Sequence, residues 1–166
     1  MLNNKKTLFI VEAAMIAAIY TVLTIFIAAF DLASGAIQVR VSEALTILPA
    51  FTPAAVPGLF IGCLLSNTLT GAALLDIVFG SIATLIGAIG SYSLRNTNRF
   101  LVSVPPIVSN MLIVPFILSK VYQIPGSIHF FMLTVGVGEI ISCLILGQML
   151  YSALLPVRHF LRFPAE

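Results

Sequence analysis

The chain has 166 residues, of which 60% are hydrophobic and only 8% are charged. Soluble domains carry roughly 25% charged residues, so this composition excludes an ordinary soluble protein. The net charge of +2 gives no reason to expect nucleic-acid binding. The apolar runs are long and unbroken rather than alternating, which excludes a membrane barrel and leaves helices as the spanning elements. The sequence therefore predicts a single all-α integral membrane domain over residues 1–166.

Six hydrophobic segments are predicted as transmembrane helices, since about 20 apolar residues cross a bilayer. In chain order they cover about residues 7–30, 42–51, 54–69, 76–94, 100–120 and 127–155. The first follows two lysines but is too long for a signal peptide, so we expect it to stay in the membrane. The second and third segments, separated by Pro53 and Pro57, could instead form one kinked element, which would give five spans.

The basic residues predict that the N- and C-termini are both cytoplasmic. With a bundle of six spans, most of the Lys and Arg residues fall on the inner side: Lys5, Lys6, Arg95, Arg99, Arg158 and Arg162. Arg40 and Lys120 fall on the outer side, which agrees with the positive-inside rule. Five spans would move Arg158 and Arg162 outside and weaken this asymmetry, so six spans are preferred.

The sequence lacks the motifs of several common chemistries. It has no GxxxxGK[ST] phosphate-binding loop and no HExxH zinc motif. Cys63 and Cys143 are far apart and are interpreted as small packed side chains. The sequence therefore predicts no catalytic residue, no bound metal and no cofactor. Uphill transport would have to draw its energy from an ion gradient or from a partner.

Polar residues inside the apolar segments are the candidate functional residues, because ionisable groups are costly in a bilayer and usually serve function. Glu139 is the strongest candidate, since it lies near the middle of the sixth predicted helix. For Asp76, a favourable charge at a helix end is the simpler alternative, and for Asn67 and Asn110 it is an interhelical hydrogen bond. Small and polar residues recur at three- and four-residue steps and so share helix faces: Asp76, Gly80, Thr84, Gly87 and Ser91; Gly136, Glu139, Cys143 and Gly147; Gly58, Gly62 and Ser66.

These stripes predict an outward-opening pocket between the third to sixth helices, covered by the loop before the second helix, Asp31 to about Val41. This loop overlaps the stretch GAIQVRVSEALTILPAF. Within this stretch, Ser42 could be an N-cap and Glu43 a favourable charge at a helix start. The predicted topology instead favours Arg40 and Glu43 as part of a gate over a ligand. Several carboxylates and amides suit a small ligand with many N–H donors, such as a purine-like base carrying an amine, because a carboxylate accepts two parallel N–H bonds.

The first helix carries a double AxxxA patch, formed by Ala13, Ala14, Ala17 and Ala18. Small residues at this spacing allow another helix to approach closely. Packing within the chain and docking of a partner subunit both explain such a patch. Its position in the cytoplasmic half, beside Glu12 and away from the predicted pocket, favours docking.

Over nearly its whole length the chain resembles the substrate-binding S-component of an energy-coupling factor (ECF) transporter, and within that class the QueT family of queuosine-precursor importers. The resemblance is carried by QVRVSEALTILPAF, PGLFIGCLLSNTLTG, LLDIVFGSIATLIGA, PPIVSN and VGEII. It implies the following substrate-binding residues: Arg40, Glu43, Asn67, Asp76, Ser81, Asn110 and Glu139.

The resemblance also implies partners and a location. A transmembrane coupling subunit of the EcfT type would dock on the alanine patch in a bacterial plasma membrane. Two cytosolic ATPases would hydrolyse ATP, and the S-component would topple and release its substrate inside. The implied substrate is a deazaguanine such as 7-aminomethyl-7-deazaguanine.

Three alternatives remain open from the sequence. The chain could be an S-component for riboflavin, thiamine or another vitamin. It could be an intramembrane enzyme that uses Glu139 and Asp76 as acid and base, although no nucleophile or metal motif supports this. It could also be an oligomeric channel lined by Glu139.

Overall fold

The computed structural model describes residues 2–29, 39–123 and 125–157, and every regular element in these ranges is helical. The prediction of an all-α protein is therefore confirmed. The longer helices are α1 (Leu2–Ala29), α2 (Ala55–Leu69) and α3 (Leu74–Ser93), followed by the short α4 (Arg99–Val102), then α5 (Val104–Lys120) and α6 (Ile128–Glu139). A 3-10 helix, Val41–Ala50, lies between α1 and α2. After α6 the chain continues as a π-helical segment, Ile140–Leu146, then α7 (Gly147–Leu154) and a 3-10 turn, Leu155–Val157.

The surface and the interior of this bundle are those of a membrane protein. Four helical runs are long and apolar enough to cross a membrane: Lys5–Ala29, Leu74–Ser93, Arg99–Lys120 and Ile128–Val157. Large apolar side chains point outward on several helices, with 65% to 74% of their surface exposed: Ile10, Val22, Leu69, Leu74 and Leu133. Such extensive apolar exposure is unusual on a soluble monomer and is expected where lipid surrounds the protein.

The 3-10 helix and α2 are separate elements, with Pro53 in the turn between them. Pro57 lies in the first turn of α2, where backbone N–H groups have no helical partner, so its missing N–H costs no hydrogen bond. The ten residues of Val41–Ala50 are unusual, because 3-10 runs longer than about four residues are uncommon and often mark a functional region.

Helices α1 and α2 pack closely because two glycines of α2 face the backbone of α1. A Cβ added at Gly58 would lie 2.8 Å from the carbonyl oxygen of Ala13. At Gly62 it would lie 3.0 Å from the carbonyl oxygen of Ala17 and 2.8 Å from Cβ of Tyr20. Any side chain at these two positions would therefore separate the helices, and small residues hold them together.

Helices α3 and α5 meet at the double proline Pro105-Pro106 near the start of α5. Pro106 has no N–H to donate to the carbonyl oxygen of Val102, four residues earlier. Ser91 of α3 donates its hydroxyl hydrogen to that oxygen instead, at 2.7 Å. The prolines thus account for the break between α4 and α5, which the single predicted helix over residues 100–120 did not include.

The 3-10 helix lies inside the bundle, where it contacts α1, α3, the π-helical segment and α7. Six consecutive residues of this helix, from Ser42 to Ile47, are buried. The first turn of the 3-10 helix therefore carries Glu43 into the interior of the protein.

Candidate functional site

Glu43 is buried, with only 1% of its surface exposed. Tyr20 of α1 donates its hydroxyl hydrogen to Glu43 Oε1. Among the residues that the structure describes, Glu43 Oε2 is buried and has no hydrogen-bond partner. Because an unpaired buried acceptor costs free energy, this oxygen is the point at which a donor from outside the chain would be most stabilising.

Glu139 reaches the same point from the last residue of α6, immediately before the π-helical segment. Cys143 donates its thiol hydrogen to Glu139 Oε2 at 3.1 Å, and the side chain of Asn110 on α5 lies beside the same carboxyl group. One ligand atom from each of Glu43, Glu139 and Cys143 lies within 4.8 Å of the other two. We call these three residues, with Tyr20, the carboxyl centre.

The carboxyl centre is suited to a positively charged partner. Two carboxylates this close together repel each other strongly where water is excluded. A divalent cation would find two carboxylates and a sulfur ligand, a set that borderline metals such as Zn²⁺ accept. A ligand ammonium group would find several hydrogen-bond acceptors for its three N–H donors.

Asn67 and Asp76 form a second polar group, the amide–carboxyl pair, between α2 and α3. Both residues are buried, and they meet above Gly80. A Cβ added at Gly80 would lie 3.2 Å from Asp76 Oδ1 and 3.3 Å from Asn67 Nδ2, so the absence of a side chain there leaves room for both. Tyr122 donates its hydroxyl hydrogen to Asp76 Oδ2 at 2.8 Å. Asn67 donates to the sulfur of Cys63 at 3.5 Å.

The two groups belong to one polar network. Cys63, which accepts from Asn67, also lies beside Tyr20 of the carboxyl centre. Arg40 lies within electrostatic range of both Glu43 and Asp76. The predicted substrate-binding residues, except Ser81, therefore lie in or beside a continuous set of polar side chains.

Ser81 lies apart from this network. Its side chain is buried, but its hydroxyl group donates to the backbone carbonyl of Ile77 in the same helix, at 2.6 Å. The hydroxyl hydrogen is therefore used within α3, and among the described residues Ser81 makes no hydrogen bond to the two polar groups.

The N-cap interpretation of Ser42 is wrong. Arg40 occupies the N-cap position of the 3-10 helix and makes no side-chain capping bond. The buried hydroxyl of Ser42 accepts a hydrogen bond from Thr24 of α1 at 2.8 Å. The backbone N–H of Arg40 donates to Ser142 Oγ at 3.1 Å, which joins this part of the chain to the π-helical segment. The rest of the predicted gate, Asp31 to Gln38, lies outside the described residues.

The four alanines of α1 divide between two faces. Ala13 and Ala17 are 7% and 4% exposed and lie against the glycines of α2, so they pack within the chain. Ala14 and Ala18 are exposed. A docking surface made of all four alanines is therefore excluded, and the part of the patch open to a partner consists of Ala14 and Ala18.

Sequence reasoning missed Tyr20 and Tyr122, and it placed Cys143 on the same helix face as Glu139 without giving it a hydrogen-bonding role. Each of these residues donates a hydrogen bond to one of the predicted acidic residues. The available signal was weak: Tyr20 is one of several hydroxyl residues in a long apolar helix, and Cys143 lies four residues after Glu139 on the same helix face.

Helices of membrane-spanning length around enclosed carboxyl and amide groups define a multi-pass membrane protein of the solute-carrying class. The chain belongs to the QueT transporter family, whose family model matches residues 10–156. It is therefore a membrane transporter component and not an enzyme, and the acid–base role considered for Glu139 and Asp76 is set aside.

A curated relative from Lactococcus lactis subsp. cremoris (strain MG1363), named Queuosine precursor transporter QueT, is 34% identical over 85 residues. The match covers 51% of this chain and 50% of the relative. The chain thus spans about half the length of the curated relative that it matches. No solved structure matches the chain.

Proposed function

We propose that the chain is the substrate-binding S-component of an ECF importer and that it captures a deazaguanine precursor of queuosine, such as 7-aminomethyl-7-deazaguanine. Its family membership and the name of the lactococcal relative support this proposal. The observation that carries it is the convergence of carboxyl and amide groups inside an apolar bundle. A guanine-type edge presents adjacent N–H donors, which a carboxylate accepts as two parallel, charge-assisted bonds.

In the proposed topology the chain crosses the membrane six times, and both termini are cytoplasmic. The four long helical runs and the distribution of Lys and Arg support this arrangement. The 3-10 helix extends about 20 Å and α2 about 22 Å, both less than the roughly 30 Å of the hydrocarbon core. We propose that each of these two short elements makes its own crossing with the help of its flanking turns, and that the 3-10 helix does so inside the bundle.

The proposed partners supply the energy. A coupling subunit of the EcfT type would contact the exposed Ala14 and Ala18 from within the membrane, and two cytosolic ATPases would bind and hydrolyse ATP. The chain itself needs no cofactor for this role, because its part is to bind the substrate and to change orientation with it.

A binding titration of the purified full-length protein tests the proposed substrate. We expect saturable one-to-one binding of 7-aminomethyl-7-deazaguanine, measured by isothermal titration calorimetry in detergent, and no heat with riboflavin or thiamine. Tight binding of a vitamin without binding of the deazaguanine would reject the substrate and keep the transporter class. Ion conductance by the protein alone in planar bilayers would instead favour a channel lined by Glu139.

A further inference from the structure

We infer that the carboxyl centre is a receptor for a primary ammonium group of the ligand and that it selects amine-bearing deazaguanines over neutral ones. This inference rests on the proposed function and adds an orientation to it. The cationic arm of the ligand would lie between Glu43 and Glu139. The flat hydrogen-bonding edge of its ring would face the amide–carboxyl pair of Asn67 and Asp76.

The carboxyl centre has an acceptor to spare. Glu43 Oε1 and Glu139 Oε2 each receive a hydrogen, from Tyr20 and from Cys143. In the part of the chain that the structure describes, Glu43 Oε2 receives none, although the residue is only 1% exposed. An ammonium group between the two carboxyl groups would satisfy this oxygen and offset their repulsion, since it brings three donors and a positive charge.

The amide–carboxyl pair provides the complementary chemistry for the ring. Asp76 Oδ1 and Asn67 Nδ2 both lie over Gly80, 3.2 and 3.3 Å from the position of an added Cβ, and the two side chains together offer acceptors and a donor. A guanine-type edge likewise carries both donors and an acceptor. The carboxyl centre, which holds two carboxyl groups, suits a group that only donates.

A ligand with a nitrile arm in place of the amine would not match the hydrogen-bonding groups of the carboxyl centre. A nitrile nitrogen accepts hydrogen bonds and donates none, so Glu43 Oε2 would stay unpaired. The lone pair of the nitrile would also point at two carboxyl groups. Binding sites that are left with unpaired buried polar groups reject the wrong ligand strongly.

A divalent cation is the competing occupant, since Glu43, Glu139 and Cys143 are within 4.8 Å of one another. Metal binding by Cys143 would require loss of its thiol proton. That proton forms the hydrogen bond to Glu139 Oε2. An ammonium group leaves the hydrogen bonds of Tyr20 and Cys143 intact and uses the acceptor that is still free, which favours the amine.

The test compares three probes on the wild-type full-length protein by calorimetry: 7-aminomethyl-7-deazaguanine, 7-cyano-7-deazaguanine and zinc chloride. We expect the aminomethyl compound to bind about 100-fold more tightly than the cyano compound, because only the first pairs the free carboxylate oxygen. Glu139→Gln keeps the shape and removes the charge, and it should reduce this preference to less than about tenfold by weakening the aminomethyl compound alone. Glu12→Gln makes the same change about 12 Å along α1 from Tyr20 and should leave the preference unchanged.

Equal affinity of the wild type for the two deazaguanines would overturn the amine receptor and leave deazaguanine capture in place. Binding of neither compound would overturn the proposed function as well. A Glu139→Gln variant that lost both compounds equally would assign Glu139 to packing and would overturn the placement of the ammonium group between Glu43 and Glu139. One-to-one zinc binding that displaced the aminomethyl compound and was abolished in Glu139→Gln would make the centre a metal site. The wild-type comparison needs no variant, so it remains decisive if Glu139→Gln does not fold.

Discussion

At the scale of single residues, Tyr122 ties the connection after α5 to the start of α3. Its hydroxyl donates to Asp76 Oδ2 at 2.8 Å and accepts from the backbone N–H of Ala73 at 3.2 Å. Burial raises the pKa of Tyr122, the hydrogen bond to Asp76 raises it further, and the Ala73 N–H opposes both. Tyrosine donates this bond only when neutral, so the bond is fully present below about pH 10 and is lost as pH rises through the raised pKa.

Tyr122→Phe removes the hydroxyl and keeps the ring. We expect several-fold faster release of bound 7-aminomethyl-7-deazaguanine, because the connection beside Asp76 loses its anchor. The ratio of wild-type to variant release rates should stay constant from about pH 6 to pH 9, where Tyr122 remains neutral. Stopped-flow dissociation measures both quantities. Tyr92→Phe, in the last turn of α3, is the matched control and should release the ligand at the wild-type rate; a similar acceleration in both variants would contradict a role for Tyr122.

Gly80 provides a second prediction at this scale. Its missing side chain leaves room for Asp76 Oδ1 and Asn67 Nδ2, which would lie 3.2 and 3.3 Å from a new Cβ. Gly80→Ala should therefore displace these two groups by a few tenths of an ångström and weaken ligand binding several-fold, with little change in melting temperature. Gly136→Ala is the control, because its Cβ would meet only the flexible side chain of Met111, at 3.1 Å. Unchanged affinity in Gly80→Ala would show that the amide–carboxyl pair does not contact the ligand.

The charged and amide members of the site were predictable because such groups stand out in apolar runs. Their hydrogen-bond donors were not. Tyr20 lies 23 residues from Glu43, and Tyr122 lies 46 residues from Asp76. A tyrosine or cysteine within a membrane helix is common in packing and interfacial roles, so one sequence gives no reason to pair it with a distant carboxylate.

At the scale of the elements, α1 has two faces with different roles. One face carries Ala13 and Ala17 against the glycines of α2, and the other exposes Ala14 and Ala18. The sequence alone could not separate these faces, since both have the same AxxxA spacing. The separation depends on where α2 lies, which is a property of the folded bundle.

A substitution between α1 and α2 should therefore affect stability, whereas a substitution on the exposed face of α1 should affect partner binding. Gly62→Leu should destabilise the protein by about 1–3 kcal/mol, because its side chain would push against the backbone of α1. Ala14→Leu with Ala18→Leu should keep the wild-type melting temperature and ligand affinity, and should abolish co-purification with the coupling subunit. Thermal unfolding in detergent and affinity purification of the complex measure these outcomes. An intact complex with the leucine pair would exclude this face as the docking surface.

The positions of the helices were predictable from the apolar runs and their forms were not. The run at residues 42–51 corresponds to Val41–Ala50, but it is a 3-10 helix, and the run at residues 127–155 contains the π-helical segment Ile140–Leu146. An apolar run is compatible with each helical form, and contacts with other elements contribute to the choice among them. The hydrogen bond from Arg40 N–H to Ser142 Oγ is one such contact.

At the scale of the whole molecule, apolar side chains face outward and polar side chains converge inside. This arrangement is stable only in lipid, and it isolates the carboxyl centre from water. A buried, unpaired carboxylate oxygen favours ligand binding, because a donor from the ligand removes a desolvation free energy that water cannot relieve there. The empty protein is therefore expected to be less stable than the loaded one.

Cysteine labelling tests the proposed six-span topology. Lys120, the last residue of α5, and Asn96, just after α3, are both exposed. The proposed topology places them on opposite sides of the membrane. In intact cells, a membrane-impermeant maleimide should label Lys120→Cys, which lies outside in the proposed topology. Asn96→Cys should be labelled only after lysis. The native Cys63 and Cys143 are buried and should contribute little background. Labelling of Asn96→Cys in intact cells would invert the proposed orientation.

The π-helical segment also fixes how many residues can separate Glu139 from Gln148. Before the segment, Glu139 contributes its carboxyl group to the carboxyl centre. After it, Gln148 donates to the backbone carbonyl of Arg99 at 2.8 Å and to Ser103 Oγ at 3.1 Å. In an α-helix each residue turns the helix by about 100°, so removing one residue from the segment would rotate one contact away from its partner. Substitutions of the apolar residues of Ile140–Leu146 should be tolerated where volume is kept, whereas Ser142 and Cys143 make hydrogen bonds to other residues of the site. A single deletion or insertion would remove either Glu139 from the carboxyl centre or the hydrogen bond of Gln148 to Arg99 of α4.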